Sequence, residues 1–164
     1  MITASDTQYE IRYTLCFLTR NDHVLMLHRA KSPNKGLWNG VGGKIHKDES
    51  PLAACLREVK EETGFALETA RYCGVVTWRG FEINEGGLYI FVAPAPDGDP
   101  VESHEGRLEW KPRAWVFSSP EVVGNIHHFA PPVLNGAAPQ HYHFEYREMK
   151  LIRWEVKPLD PSGF

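Results

Sequence analysis

The stretch GKIHKDESPLAACLREVKEETGF, Gly43 to Phe65, decides most of the reading of this chain. It consists of a glycine, five residues, Glu49, seven residues, then Arg57-Glu58-Val59-x-Glu61-Glu62-x-Gly64 and an apolar residue. With Gly at roughly 7% and each charged type at about 6% of residues, the fixed positions coincide by chance in a chain of this length only on the order of once in a million.

Ser50 followed by Pro51 predicts a helix start, a capping hydroxyl and then a ring whose fixed φ suits the first helical position, and Gly64 predicts a left-handed stop. A helix over 51–63 follows. At about 100° per residue, Leu52, Cys55, Leu56, Val59 and Thr63 share an apolar face, while Glu58, Glu61 and Glu62 share another. Those carboxylates stand at i, i+3 and i+4, where like charges repel, and in the last turns, where the macrodipole is already negative, so each is disfavoured by a few tenths of a kcal/mol. The plain alternative is a solvated acidic face. Two neighbours argue for a site instead. In GVGGK, Gly40 to Lys44, adjacent glycines let the backbone approach an ion or ligand, with Glu49 placed to reach back across the loop. Arg57 can hold a carboxylate bidentately in one orientation. Several carboxylates and a free carbonyl suit Mg²⁺, with Mn²⁺ as a substitute, and such partly hydrated ions usually serve a phosphate substrate.

These residues match the Nudix box, and the chain resembles a Nudix hydrolase, within that family most nearly the MutT-type 8-oxo-dGTP diphosphatases. The resemblance extends to Tyr13–Leu15, to WNGxGGK at Trp38–Lys44 and to PVESHEGRLEW at Pro100–Trp110. It implies an α+β fold, an α-β-α sandwich in which a mixed, mostly antiparallel sheet carries the box helix packed on it. It also implies metal binding by the Gly42 carbonyl, Glu58, Glu61, Glu62 and Glu105. Catalysis would rest on Glu58 as general base, with Arg57 as its orienter and Glu61 beside it. Gly43, Glu49 and Gly64 would clamp the loop and helix. Thr14, Arg29, Asn39, Lys44 and Asn125 would surround the substrate, Arg29 at a phosphate-contacting position and Thr14 and Asn39 in the base pocket. Where the vertebrate enzymes of this type have an acidic pair for reading the modified purine, this chain has Gly124-Asn125. Asn125 is then the base reader, unless Gly-Asn is only a turn. Thr14 and Asn39 have a plainer reading as strand and loop polar residues, Arg29 as a surface cation, and Glu105 as a solvated loop residue.

The implied reaction is Mg²⁺-dependent hydrolysis of a (deoxy)nucleoside triphosphate, an oxidised purine such as 8-oxo-dGTP, to the monophosphate and pyrophosphate. Alternatives within the family are ADP-ribose, dinucleoside polyphosphates or dihydroneopterin triphosphate. The Trp78-Arg79-Gly80-Phe81 run, where ADP-ribose members tend to have a Pro and dinucleoside polyphosphate members a Tyr, argues against the first two. An inactive nucleotide-sensing module is the alternative of another class, but such domains usually lose a box glutamate and all are present here.

With 164 residues, 42% hydrophobic and 24% charged, the chain suits a single domain over 1–164, its core about residues 10–136 with a C-terminal strand pair about 140–158. A net charge of −3 without a run of basic residues argues against duplex nucleic acid and for a small-molecule nucleotide. Cys16, Cys55 and Cys73 are odd in number and lie in apolar stretches, so they read as buried free thiols. No long apolar segment or leader pattern appears, which gives the expectation of a cytoplasmic protein without membrane contact, monomer or homodimer. Strands are predicted at 10–18, 23–28, 71–78, 87–93, 108–117, 141–145 and 151–156, with Asn21-Asp22 as a hairpin turn. Short helices are predicted near 120–122 and 129–134. Trp115 and Trp154 read as core strand residues, and His127 and His128 as either base-stacking or exposed.

Overall fold

The structure is a computed structural model that describes residues 3–81 and 85–161. Strands β1 (Tyr13–Arg20) and β2 (His23–Arg29) pair antiparallel around the Asn21-Asp22 turn, in which Asn21 takes a φ of 54°. A two-residue strand β3 (Trp38–Asn39) lies against β2. Helix α1 (Pro51–Thr63) follows, then β4 (Arg71–Arg79), β5 (Glu85–Pro94), β6 (Gly106–Pro112), helices α2 (Arg113–Ser118) and α3 (Ile126–Leu134), and the strands β7 (Gln140–Arg147) and β8 (Lys150–Pro158). All eight strands form one sheet in the order β3-β2-β1-β5-β4-β7-β8, with β6 pairing β2. The β1–β5 and β4–β7 pairs are parallel and the others antiparallel, so the sheet is mixed and mostly antiparallel.

The apolar run of β1 is continuous because the sheet is covered on both faces. Alternate residues serve different cores. Leu15 and Phe17 join Phe129, Ala130 and Val133 of α3, while Cys16 and Leu18 join Cys55 and Val59 of α1. This is the three-layer sandwich expected from the sequence. All three cysteines are free and buried. The N-terminal segment adds a short helical turn at Ala4–Asp6, with Ala4 packed on Val75 and Leu159.

The first strand begins at Tyr13, not Glu10. The expected strand over 108–117 stops at Pro112, which has no N–H for the ladder and stands at the N-cap of α2. Trp115 is therefore helical, set edge-on to Trp38 at 6.1 Å. No helix forms at 120–122; Val122 instead bridges in parallel to Trp38. The helix expected near 129–134 starts earlier, at Ile126. Trp154 does lie in a strand, but at 43% exposure it is not core.

Candidate active site

Helix α1 is built as its sequence dictates. The Ser50 Oγ accepts from the Ala53 N–H at 3.1 Å, Pro51 opens the first turn, and Gly64 closes the helix with a φ of 79°. Its burial differs from the simple two-face expectation. Ala54, Cys55, Val59, Thr63 and also Glu62 are buried, Leu52 and Leu56 only half-buried. Glu62 follows Val59 by three residues, so it borders the strip that faces the sheet. The three glutamates consequently diverge: Glu62 is 3% exposed, the Glu58 side chain 13%, and the Glu61 side chain 57%.

Arg57 organises the surroundings of these carboxylates. Its Nε and Nη2 donate to Glu49 at 2.7 and 2.9 Å, Nη1 to Glu58 at 2.9 Å and to Glu61 at 3.3 Å, and Nη2 also to the Lys44 carbonyl at 2.9 Å. The bidentate pair ties the loop after Lys44 to the helix. Hydrogen bonds from Arg57, then from the His46 N–H, bring the Glu49 carboxyl down to about 2. The loop itself is drawn onto β1 by the Thr14 N–H, which donates to the Gly43 carbonyl at 2.9 Å. Gly43 lies so close to Glu58 that a Cβ there would stand 2.5 Å from its carboxyl carbon, which no larger residue accommodates without moving the acid.

Above this cluster opens a cleft of about 710 Å³. It brings together Thr14, Arg29, Asn39, Gly42, Gly43, Lys44, Glu58, Glu62, Glu105 and Asn125 from the sequence-predicted set. Glu61, Arg57, Glu49 and Gly64 do not line it: Glu61 is turned to Arg57, Arg57 and Glu49 tie the loop to the helix behind it, and Gly64 ends the helix. At the floor, Glu62 accepts the Gly42 N–H at 3.2 Å. Burial, opposed by that bond and reinforced by Glu58 and Glu105, pushes its carboxyl up to about 8. Glu105 arrives from the segment before β6 and is paired with His104 at 3.2 Å and Lys31 at 3.8 Å. Arg29 is held at the rim by its Nε bond to the Pro33 carbonyl, 2.7 Å. Among the described residues the buried Thr14 Oγ1 has no hydrogen-bond partner, and Asn39 commits only its Oδ1, to the Gly40 N–H at 2.8 Å.

The donor chemistry fits a hard divalent cation. Glu58, Glu62 and Glu105 offer carboxylate oxygens to one cleft, and the most buried of them has one backbone donor and the weaker pull of Arg29 as its compensation. Among the described residues no three acidic, histidine or cysteine side chains already converge at ligating distance, so these groups would have to draw together on an ion.

The opposite half of the cleft is apolar, with Trp78, Phe81, Leu88, Phe129, Tyr146 and Leu151 among its walls. Sequence reasoning missed these residues as a set. They come from β4 and the bend after it, β5, α3 and the β7–β8 hairpin, and an aromatic residue near a strand end has the same local pattern whether it faces core or cleft. Asn125, the residue before α3, makes no capping bond with its side chain; its amide lies against the Tyr146 hydroxyl. His128 lines the cleft with its ring on Trp154 at 4.6 Å, whereas His127 is bonded by Nε2 to the Ser119 carbonyl at 2.7 Å.

An acidic half beside an aromatic half suits a phosphate joined to a base, and sequence comparison points the same way. The NUDIX domain model matches residues 10–135, and the chain belongs to the Nudix hydrolase family, enzymes that act on small nucleoside diphosphate derivatives and generally use a divalent metal. It is 31% identical over 156 residues to the uncharacterised Nudix hydrolase YvcI of Bacillus subtilis, covering 92% of this chain and 96% of that protein. It is also 31% identical over 99 residues to the oxidized purine nucleoside triphosphate hydrolase of Mus musculus, covering 60% of this chain and 64% of that enzyme. Among solved structures, a MutT protein of Bacillus halodurans is similar with a TM-score of 0.76 and 30% identity, over 91% of this chain and 99% of that one. Among the described residues no helix is long and apolar enough to cross a membrane.

Proposed function

We propose that this enzyme hydrolyses a (deoxy)nucleoside triphosphate, an oxidised purine such as 8-oxo-dGTP, to the monophosphate and pyrophosphate with Mg²⁺ as its cofactor. The observation that carries the reading is the split cleft. Glu58, Glu62 and Glu105 crowd its phosphate end, while an aromatic chamber with the amides of Asn39 and Asn125 and the unpaired Thr14 hydroxyl forms its base end. The similarity to the mouse enzyme supports the same substrate class.

Glu58, Glu62, Glu105 and the Gly42 carbonyl would hold the ion, with Glu61 able to join only by leaving Arg57. A bound divalent ion neutralises charge on the transferring phosphoryl group and lowers the pKa of a bound water. The chain's own contribution is placement. Arg57 fixes the Glu58 carboxylate, the general base of this reading; Arg29 and Lys44 meet phosphate oxygens; the aromatic walls keep the base end dry. Asn125 discriminates the base. An amide can accept the N7 hydrogen of 8-oxo-guanine through its oxygen while donating to O6, whereas ordinary guanine presents an acceptor at N7. The Tyr146 hydroxyl beside it biases which way the amide turns.

The test is pyrophosphate release over a panel of normal and oxidised purine and pyrimidine nucleotides, with ADP-ribose and a dinucleoside polyphosphate included. A kcat/KM for 8-oxo-dGTP at least about tenfold above that for dGTP is expected, lost in Asn125→Ala, in line with about 1 to 3 kcal/mol for a paired base contact. Preference for ADP-ribose or a dinucleoside polyphosphate would replace this substrate with the other family reading.

A further inference from the structure

The sheet ends on an open edge. Among the described residues strand β8 pairs with β7 on one side only, and all nine of its residues are exposed or half-buried. The large apolar side chains most exposed among the described residues are Val101, Met149, Ile152, Trp154 and Val156, so all but one fall within 149–156. A long edge strand with an apolar face is a template for pairing with another strand, and proteins that remain monomeric usually blunt such edges.

The sequence of β8, KLIRWEVKP, says which strand fits. Across a twofold axis normal to the sheet, antiparallel partners must lie on the same face, so their residue numbers sum to an even value. An axis at Trp154 sets Trp154 opposite Trp154 of the second copy, Ile152 opposite Val156, and Arg153 opposite Glu155 twice over, an overlap that stops short of the irregularity at Leu151. An axis at Arg153 or Glu155 puts that charge opposite its own copy, and an axis at Val156 sets Trp154 against Pro158, which has no N–H for a ladder, and leaves Arg153 without a partner across the axis. The charges are available for this. Arg153 already meets Glu145 at 3.1 Å while 62% exposed, and Glu155 has a loose 3.9 Å contact with Lys157 beside His141 and His143. On the other face Trp154 is stacked on Phe144 at an interplanar angle of 12°, holding its ring ready for a cross-strand aromatic pair. The register shift opposite Glu145 and Tyr146 makes Ile152 the additional residue of β8, so the ladder is regular from Arg153 onward.

We propose that two copies of this chain associate through antiparallel β8–β8 pairing about an axis at Trp154, joining their sheets into one. The inference is independent of the substrate. Sedimentation velocity on the full chain should give a species of twice 18.6 kDa at micromolar concentration. Arg153→Glu and Glu155→Arg each set like charges across the axis and should each weaken association by at least about tenfold. An equimolar mixture of the two variants restores opposite charges in both contacts and should restore the dimer, which no effect confined to one protomer predicts. Circular dichroism monitors folding, and a second route needs no charge change. Trp154→Cys should form a disulfide between copies under mild oxidation, because directly opposed residues lie about 4.5 to 5.5 Å apart at Cα and the native cysteines are buried. A wild type that stays monomeric up to its solubility limit overturns the proposal, as does a dimer indifferent to both charge variants or a Trp154→Cys variant that never cross-links.

Discussion

Replacing Gly43 by alanine is the sharpest test of the carboxylate geometry. The backbone of Gly43 lies outside the left-handed region, so alanine adopts it without strain, and the whole effect comes from one methyl group. That methyl would stand 2.5 Å from both the carboxyl carbon and Oε1 of Glu58 and 2.7 Å from Oε2, where ordinary contact starts at 3.4 Å. The carboxyl must retreat by about 0.9 Å, and it is the end of a flexible side chain, so the fold should lose no more than about 1 kcal/mol. Catalysis tolerates such a shift far less: a misplacement of about 1 Å at a reacting group costs on the order of 10²-fold, or about 2.7 kcal/mol of barrier. The assay is kcat for pyrophosphate release by wild type and Gly43→Ala, with thermal melting alongside. A Gly43→Ala enzyme that melts like wild type and turns over within about threefold of it would refute the placement of Glu58 at the reacting centre.

Because Glu62 holds its proton up to about pH 8 in the metal-free fold, Mg²⁺ binding near neutral pH should release about one proton, seen by calorimetry in buffers of different ionisation enthalpy; no release, or the same release in Glu62→Gln, counts against Glu62 as a ligand. The same ion should raise the melting temperature, by about 2.7 kcal/mol of stabilisation at a concentration of 100 times Kd, and an unchanged melt at saturating Mg²⁺ argues against the cluster. Arg57→Lys keeps the charge but loses the bidentate grip on Glu49, and should cost about 2 kcal/mol in urea denaturation; an unaltered midpoint would show that the clamp is not stabilising. His141 is buried with Nε2 on the Thr77 hydroxyl at 2.7 Å, and burial lowers it from 6.5 to about 4. The folded state then binds fewer protons than the unfolded one in that window, so stability is complete above pH 6.5 and declines as pH falls toward 4, by up to about 3 kcal/mol. His141→Gln should flatten the decline; an identical pH profile assigns it to other groups.

Much of the fold was legible because its signals are local. The Ser50-Pro51 start and Gly64 stop bound α1 to the residue, and the Asn21-Asp22 turn fixes the β1–β2 pairing. The structure departs from the local pattern where a tertiary contact outweighs it. Trp115, Val116 and Phe117 look like a strand continued from β6, but Pro112 withholds the N–H that the ladder needs, and the chain coils so that Trp115 reaches Trp38. Trp154 reads as core because strand tryptophans usually are, and nothing in the sequence says that β8 is the last strand in the described sheet.

The acidic end of the site was legible for the same reason and the aromatic end was not. Glu58, Glu61 and Glu62 are separated by three residues and one, a spacing that helical geometry turns into proximity without further knowledge of the fold. What it does not reveal is that they part company. Burying Glu62 is costly for an acid with one backbone donor, and a helix selected for packing alone would place an apolar residue beside Val59. Exposing Glu61 to Arg57 costs little, and that residue keeps Glu58 and the glycine loop in register. The tension sits on a single residue, Glu62, which the fold alone disfavours and a cation at the floor of the cleft would relieve. Local rules fail at this position as they would where a side chain answers to a ligand rather than to the core, which is the role proposed for it.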